Sequence, residues 1–322
     1  YLDSHSTQAT VSTDANIQVR IERLLEETGL TTPEEPISHN QAHVLSSYGL
    51  RQYQDLFSTR QILLMLTYAK YVHAAHGQMH VQRIEAERAK ATATYLGLLL
   101  DNLANWNSML SSWDPRSERV VPTLAKLDIA MNWDYAELNP FADDTPAMPQ
   151  TSRVISAIEQ CVGTGLPTEV YCGSATQLPF DDDVFDAIVT DTPHHDHVPY
   201  ADLSDFFYVW LTRSVGHLYP EQFGPALTPK VNEVIVAPQR HGNDNKTASI
   251  AYEQMMAAAL SEAARVLKPG GFVTLAVYVS KPDVLETFMH LAQEAGLKLF
   301  NARRLRFCLL YTSDAADEED SV

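Results

Sequence analysis

Phe185-Asp-Ala-Ile-Val-Thr-Asp191 is an apolar run bounded by polar residues and closed by an acid; it reads as a buried β-strand ending in a carboxylate. Thr192, Pro193 and His194 follow it directly. Working upstream, Glu169–Cys172 is a short strand candidate that leads into Gly173-Ser-Ala-Thr-Gln-Leu-Pro-Phe-Asp181. Working downstream, Ala251–Val266 has helical periodicity and runs into Lys268-Pro-Gly-Gly271, which is stop chemistry for a helix. Phe272–Val279 reads as a second buried strand, Pro282–Ala295 as a helix closed by Gly296, and Leu297–Phe307 as the start of a further strand. Helices alternating with apolar strands predict an open, mainly parallel α/β sheet. Phe185–Thr190 and Phe272–Val279 should be neighbours in it, with ligands at the carboxyl ends of the strands.

The amino-terminal side has a different texture. Residues 1–45 read as a polar linker region with a short helix around Ile17–Glu27. Residues 46–164 read as a mainly helical subdomain. Ser58-Thr59 caps a helix to about Ala75, a long helix covers Val81–Leu110, and another covers Thr151–Cys161. Trp106, Trp113 and Trp133 are expected as core anchors of that subdomain, in preference to a base-stacking platform. Residues 165–307 form the α/β core.

Composition narrows the class. The chain has 322 residues, 45% of them hydrophobic, which suits a folded core. No apolar run reaches the ~18 residues of a membrane span. Cys161, Cys172 and Cys308 are too few and scattered for a disulfide framework or a four-cysteine metal site, so a reduced, cytoplasmic protein is expected. The chain begins with Tyr1, nothing near it resembles a signal peptide, and it reads as a piece of something longer. Cys308-Leu-Leu-Tyr-Thr-Ser-Asp-Ala-Ala-Asp-Glu318 reads like an in-frame sequencing adaptor, so residues 308–322 are expected to be non-native and poorly packed. The formal net charge is −18, and it stays strongly acidic without the five carboxylates of that tail. This argues against a broad nucleic-acid surface but not against a local groove.

Three pieces, in their order and spacing, resemble the second half of a class I S-adenosylmethionine-dependent methyltransferase: the loop Gly173–Asp181, the strand ending at Asp191, and the turn Arg265–Val273. The stretch from Asp191 to Leu211, through Val198-Pro-Tyr200 and Leu203-Ser-Asp-Phe-Phe-Tyr-Val-Trp210, is similar to the large adenine-specific DNA methylases that carry a zinc ribbon. Asp55–Gln61 and Trp133–Phe141 share that likeness. The resemblance implies a partial Rossmann-like sheet preceded by a helical subdomain, and methyl transfer to an exocyclic amine of a DNA base, adenine before cytosine. It implies a catalytic tetrapeptide at Asp191, Thr192, Pro193 and His194, cofactor contacts at Ser174, Ala175 and Asp191, and substrate contacts at His195 and Tyr200. DNA is the implied partner, with other restriction or defence subunits beside it and no membrane.

The chemistry gives the tetrapeptide its logic. The lone pair of an exocyclic amine is delocalised into the base. A carboxylate accepting one amine hydrogen and a main-chain carbonyl accepting the other push the nitrogen toward tetrahedral geometry. An aromatic ring at the fourth position stacks on a base taken out of the duplex. This chain departs from the family pattern with Thr192 in place of proline, His194 in place of an aromatic, and Ser174 where an Asp is frequent. The glycine-rich cofactor signature at the family's first strand is not in the chain; Gly163-Thr-Gly165 precedes a strand and reads as a turn. A degenerate relative that binds nucleic acid or a protein without methylating is the alternative. The run His194, His195, Asp196, His197 is metal-capable, but adjacent side chains diverge, and no metal is expected there.

Overall fold

The computed structural model describes residues 14–37, 42–125, 129, 131–139, 149–162, 168–192, 198–277 and 282–303. It is mixed α/β, with helices predominating over two small sheets. Two compact units divide the chain, Tyr1–Gly165 with Asp202–Thr228, and Leu166–Ala201 with Pro229–Val322. Among the described residues no helix is long and apolar enough to cross a membrane.

In the first unit, α1 (Asp14–Thr28) buries Ile17, Ile21 and Leu24, a stripe at helical spacing. A short α2 (Ala42–Ser47) and a 3-10 turn (Tyr53–Leu56) lead to α3 (Thr59–Val81). The expected cap is present as a reciprocal box: the Gln61 N–H donates to Ser58 Oγ at 3.3 Å, and the Ser58 N–H donates to Gln61 Oε1 at 2.8 Å. Helix α3 runs past Ala75 to Val81, and α4 (Ala86–Trp106) starts later and ends earlier than the expected span from Val81 to Leu110. The break lies at Arg83, whose φ of 60° is left-handed. Glu85 then caps α4 by accepting from the N–H groups of Glu87 and Arg88.

A hairpin the sequence reading did not resolve follows, β1 (Ser112–Asp114) antiparallel to β2 (Arg119–Val121). Its turn is held by the Asp114 carboxylate, which accepts from the Arg116 N–H and the Ser117 hydroxyl. Helix α5 (Pro149–Cys161) matches the expected span.

Most of α6 (Tyr200–Val215) belongs to this unit and fills its core. Phe206, Val209 and Trp210 are fully buried. The Phe57 ring stacks on Phe206 at 5.6 Å and meets Trp210 edge-on at 5.2 Å. Gly97 lets α4 and α6 approach closely: a Cβ there would lie 3.0 Å from a Val215 methyl, which would have to give by a few tenths of an ångström. Two of the three tryptophans expected as anchors do not serve as such: Trp113 and Trp133 are 55% and 81% exposed, while Trp106 is partly buried and the fully buried indole is Trp210.

The second unit contains the decisive strand. β3 (Phe185–Asp191) pairs in parallel with β4 (Leu267–Ala276), with Ala187 opposite Phe272 and Asp191 opposite Ala276. The expected adjacency therefore holds. Helix α7 (Asn245–Val266) ends where expected but passes straight into β4, so Lys268-Pro-Gly-Gly271 lies within the strand as an irregularity in register. Gly270 has a φ of 83°, and a Cβ on Gly271 would lie 2.9 Å from the Asp186 carbonyl oxygen. Tyr252, Met256 and Leu260 of α7 and Phe288 of α8 (Pro282–Glu294) form this unit's core, with Leu275 and Leu291 against it.

Several expectations are corrected here. Neither strand is buried: Val189 is 78% and Phe272 63% exposed. Glu169–Cys172 is exposed coil, and residues 297–303 form no strand. Among the described residues this sheet has two strands, so the wide open sheet is met only in one parallel pair. The physical reason is coverage, since parallel strands are buried only when layers cover both faces. Residues 308–322 lie outside the described residues.

Candidate active site

Asp191 is the last residue of β3 and stands at the carboxyl end of the parallel pair, opposite Ala276. It is exposed. Among the described residues its carboxylate has no hydrogen-bond or ion-pair partner. An uncommitted carboxylate can accept an amine hydrogen or face a cation.

Thr192 is buried, 7% exposed, and doubly pinned. Its N–H and its hydroxyl both donate to the Ala276 carbonyl, each at 2.9 Å. A proline here would have no N–H to give. Threonine thus stiffens the position through hydrogen bonds, where the resembled pattern uses a ring. Pro193, His194 and His195 lie outside the described residues. Tyr200 opens α6 and is half-exposed, with its N–H donating to the Val198 carbonyl at 3.0 Å.

The loop that carries Ser174 and Ala175 is a local turn. The Ser174 hydroxyl accepts from the Thr176 N–H at 3.2 Å and bonds the Thr176 hydroxyl at 2.8 Å, and the Gln177 N–H donates to the Ser174 carbonyl. Ala175 is exposed.

What fixes the loop further along is a pair that sequence reasoning missed. Glu262 accepts from the Leu178 N–H at 2.8 Å. Arg265 donates to the carbonyls of Leu178 and Phe180, to Asp182 at 2.7 Å, and twice to Glu262 at 2.8 Å. These charge-assisted bonds from Arg265, with help from the Leu178 N–H, hold the Glu262 carboxyl down at about 2. The same carboxylates raise Arg265 above its ordinary value. The available signal was an i, i+3 acid–base pair in the last turns of a helix that closes on Pro-Gly-Gly.

The fold thus unites Asp191 and Thr192 with Ala276, and it ties Leu178–Asp182 to the end of α7. No described hydrogen bond joins Ser174 to Asp191. For S-adenosylmethionine, the Asp191 carboxylate, without a partner among the described residues, would suit the cationic part, and the exposed Ala175 would leave room for a flat ring.

No protein-family model, curated protein or solved structure matches this chain.

Proposed function

We propose that the chain belongs to a methyltransferase that moves a methyl group from S-adenosylmethionine to an exocyclic amine of a DNA base, adenine being preferred. The observation that carries this reading is the exposed Asp191 carboxylate, without a partner among the described residues, at the carboxyl end of a parallel strand and followed by a residue pinned to the neighbouring strand. In open α/β sheets that end of the strands is where ligands bind.

In this reading Asp191 accepts one hydrogen of the target amine, and the Thr192 carbonyl accepts the other. The two hydrogen bonds from the Thr192 N–H and hydroxyl to the Ala276 carbonyl hold this residue against the neighbouring strand, which supports that role. S-adenosylmethionine, held through Ser174, Ala175 and Asp191, supplies an electrophilic methyl. With that methyl donor bound, the amine held by Asp191 and Thr192 would form the new N–C bond as the methyl–sulfur bond breaks toward sulfur, and the amine proton would leave to water. By the resemblance, Pro193 and His194 complete the tetrapeptide, and His195 and Tyr200 contact the base or its neighbours.

Transfer of labelled methyl to DNA by the full chain tests this. Asp191→Ala is expected to lower the rate by about 10²–10³-fold, the usual cost of losing one aligned electrostatic group, with unchanged helical circular dichroism. Asp191→Asn keeps one acceptor and should lose less. An active Asp191→Ala variant would remove the assigned role.

A second reading, a relative that binds nucleic acid or protein without methylating, is favoured by the exposed Val189 and Phe272 on the strand pair. It predicts DNA retention without methyl transfer, unaffected by Asp191→Ala and weakened by Val189→Ser with Phe272→Ser.

A further inference from the structure

Helix α3 carries His73, His76 and His80 along one side, and the 3-10 turn Gly216–Leu218 that follows α6 brings His217 to the same place. The His73 and His217 rings lie 4.2 Å apart, and those of His76 and His217 lie 5.9 Å apart. His73 is already used, since its Nε2–H donates to the Arg213 carbonyl at 2.9 Å. His76 and His80 are different. Their rings are perpendicular, with centroids 4.4 Å apart, and the two Nε2 atoms face each other at 3.1 Å. His80 is exposed and His76 is half-buried.

A divalent transition-metal ion takes imidazole nitrogens at about 2.0–2.1 Å, which sets two of them about 3 Å apart. Two histidines at i and i+4 share a helix face and can present that spacing without moving the backbone. We propose that His76 and His80 form an open binding site for an imidazole-preferring divalent cation of the zinc, nickel or copper kind, with water in the remaining positions. Among the described residues no three histidine, cysteine or carboxylate side chains close around one point, so the site keeps exchangeable positions and is not a sealed structural centre.

Without the ion, one Nε2–H donates to the other Nε2. With it, the donating ring takes its other tautomer, with the proton on Nδ1. Both Nε2 lone pairs then face the cation, and no net proton is released above the histidine range. The inference does not depend on methyl transfer.

The test is a titration of the full chain with zinc at about pH 7.5 against a chromogenic chelator, joined to copper electron paramagnetic resonance that counts bound nitrogens. One ion with two imidazole nitrogens is expected. His76→Ala and His80→Ala should each weaken binding about tenfold or more, the scale on which metal sites respond to lost support. His241→Ala should leave it unchanged. His80→Gln, at an exposed position, guards against a variant that fails to fold. Binding that survives in the His76→Ala, His80→Ala double variant, or that disappears when His194, His195 and His197 are replaced instead, overturns the proposal.

Discussion

Asp101 sits on α4 with its side chain buried, and among the described residues Oδ1 has no hydrogen-bond partner. Burial pushes its pKa well above the ordinary value of 3.8. The folded chain therefore holds this carboxyl protonated over a range in which the unfolded chain ionises it. Below the unfolded pKa both states carry the proton, and the contribution to stability is fully present. As pH rises toward the folded pKa, ionisation of the unfolded state draws stability away. Asp101→Asn keeps the shape and removes the titration. It should stabilise the chain at neutral pH by about 1–3 kcal/mol, the scale of burying an imperfectly satisfied polar group, and should flatten the acid-to-neutral fall in stability. Urea unfolding of both proteins at several pH values checks this; a variant less stable at neutral pH would mean that the carboxylate is charged and paired. Thr192 makes a related point at the same scale. Its two bonds to Ala276 are invisible in the sequence, where the residue reads only as a departure from a proline.

Arg213 shows how an element is fixed by chain far away in sequence. From α6 it donates to the carbonyls of Thr31, Thr32 and Val209 and to the Glu35 carboxylate at 3.1 Å, while its side chain is only 6% exposed. Arg213→Ala leaves Glu35 and the two loop carbonyls without their donor, and should cost about 3–5 kcal/mol in urea unfolding. Arg213→Lys should recover only part, because an ammonium cannot span the fork. A loss below about 1 kcal/mol would place the anchoring of α6 elsewhere. What the sequence could announce were local signals: the Ser58 cap, the end of α7 at Val266, the strand at Phe185–Asp191, and the start of α8 near Pro282. It could not announce the break at Arg83, which carries no Gly or Pro, nor partners such as Thr31 for Arg213. The helix stop before Lys268-Pro-Gly-Gly271 was legible, but the strand start was not, because pairing begins at Leu267 and that segment lies inside β4. Of the candidate site, Asp191 at its strand end was legible because an apolar run and a closing acid are local. Glu262 and Arg265 were not, because their work is done on backbone about 85 residues upstream.

At the scale of the molecule, three of the stretches likened to the methylases, Asp55–Gln61, Trp133–Phe141 and Leu203–Trp210, lie in the first unit, whereas Gly173–Asp181, Phe185–Asp191 and Arg265–Val273 lie in the second. Phe57 of Asp55–Gln61 packs on Phe206 and Trp210, and Arg60 of the same segment is paired with Glu137 of Trp133–Phe141 at 2.6 Å. Their physical content is therefore core and anchoring, while the proposed chemistry stands in the second unit. The two units are unequally filled. The largest fully buried side chains, from Trp210, Tyr53 and Phe206 to Leu100 and Ile129, all belong to the first. In the second, Val189 and Phe272 of the strand pair are exposed, and the core rests on Tyr252, Met256, Leu260 and Phe288. Local opening free energy follows buried apolar contact, so the two units should not open together. Hydrogen exchange followed by mass spectrometry should find peptides covering Phe185–Asp191 and Leu267–Ala276 exchanging at least about tenfold faster than those covering α3 and α6, a gap of about 1.4 kcal/mol in opening free energy. Denaturant unfolding should accordingly show two transitions by probes in the two units. Equal protection across β3, β4, α3 and α6, with one coincident transition, would mean that the strand pair is covered in solution, which would remove the exposed surface on which the non-methylating reading rests.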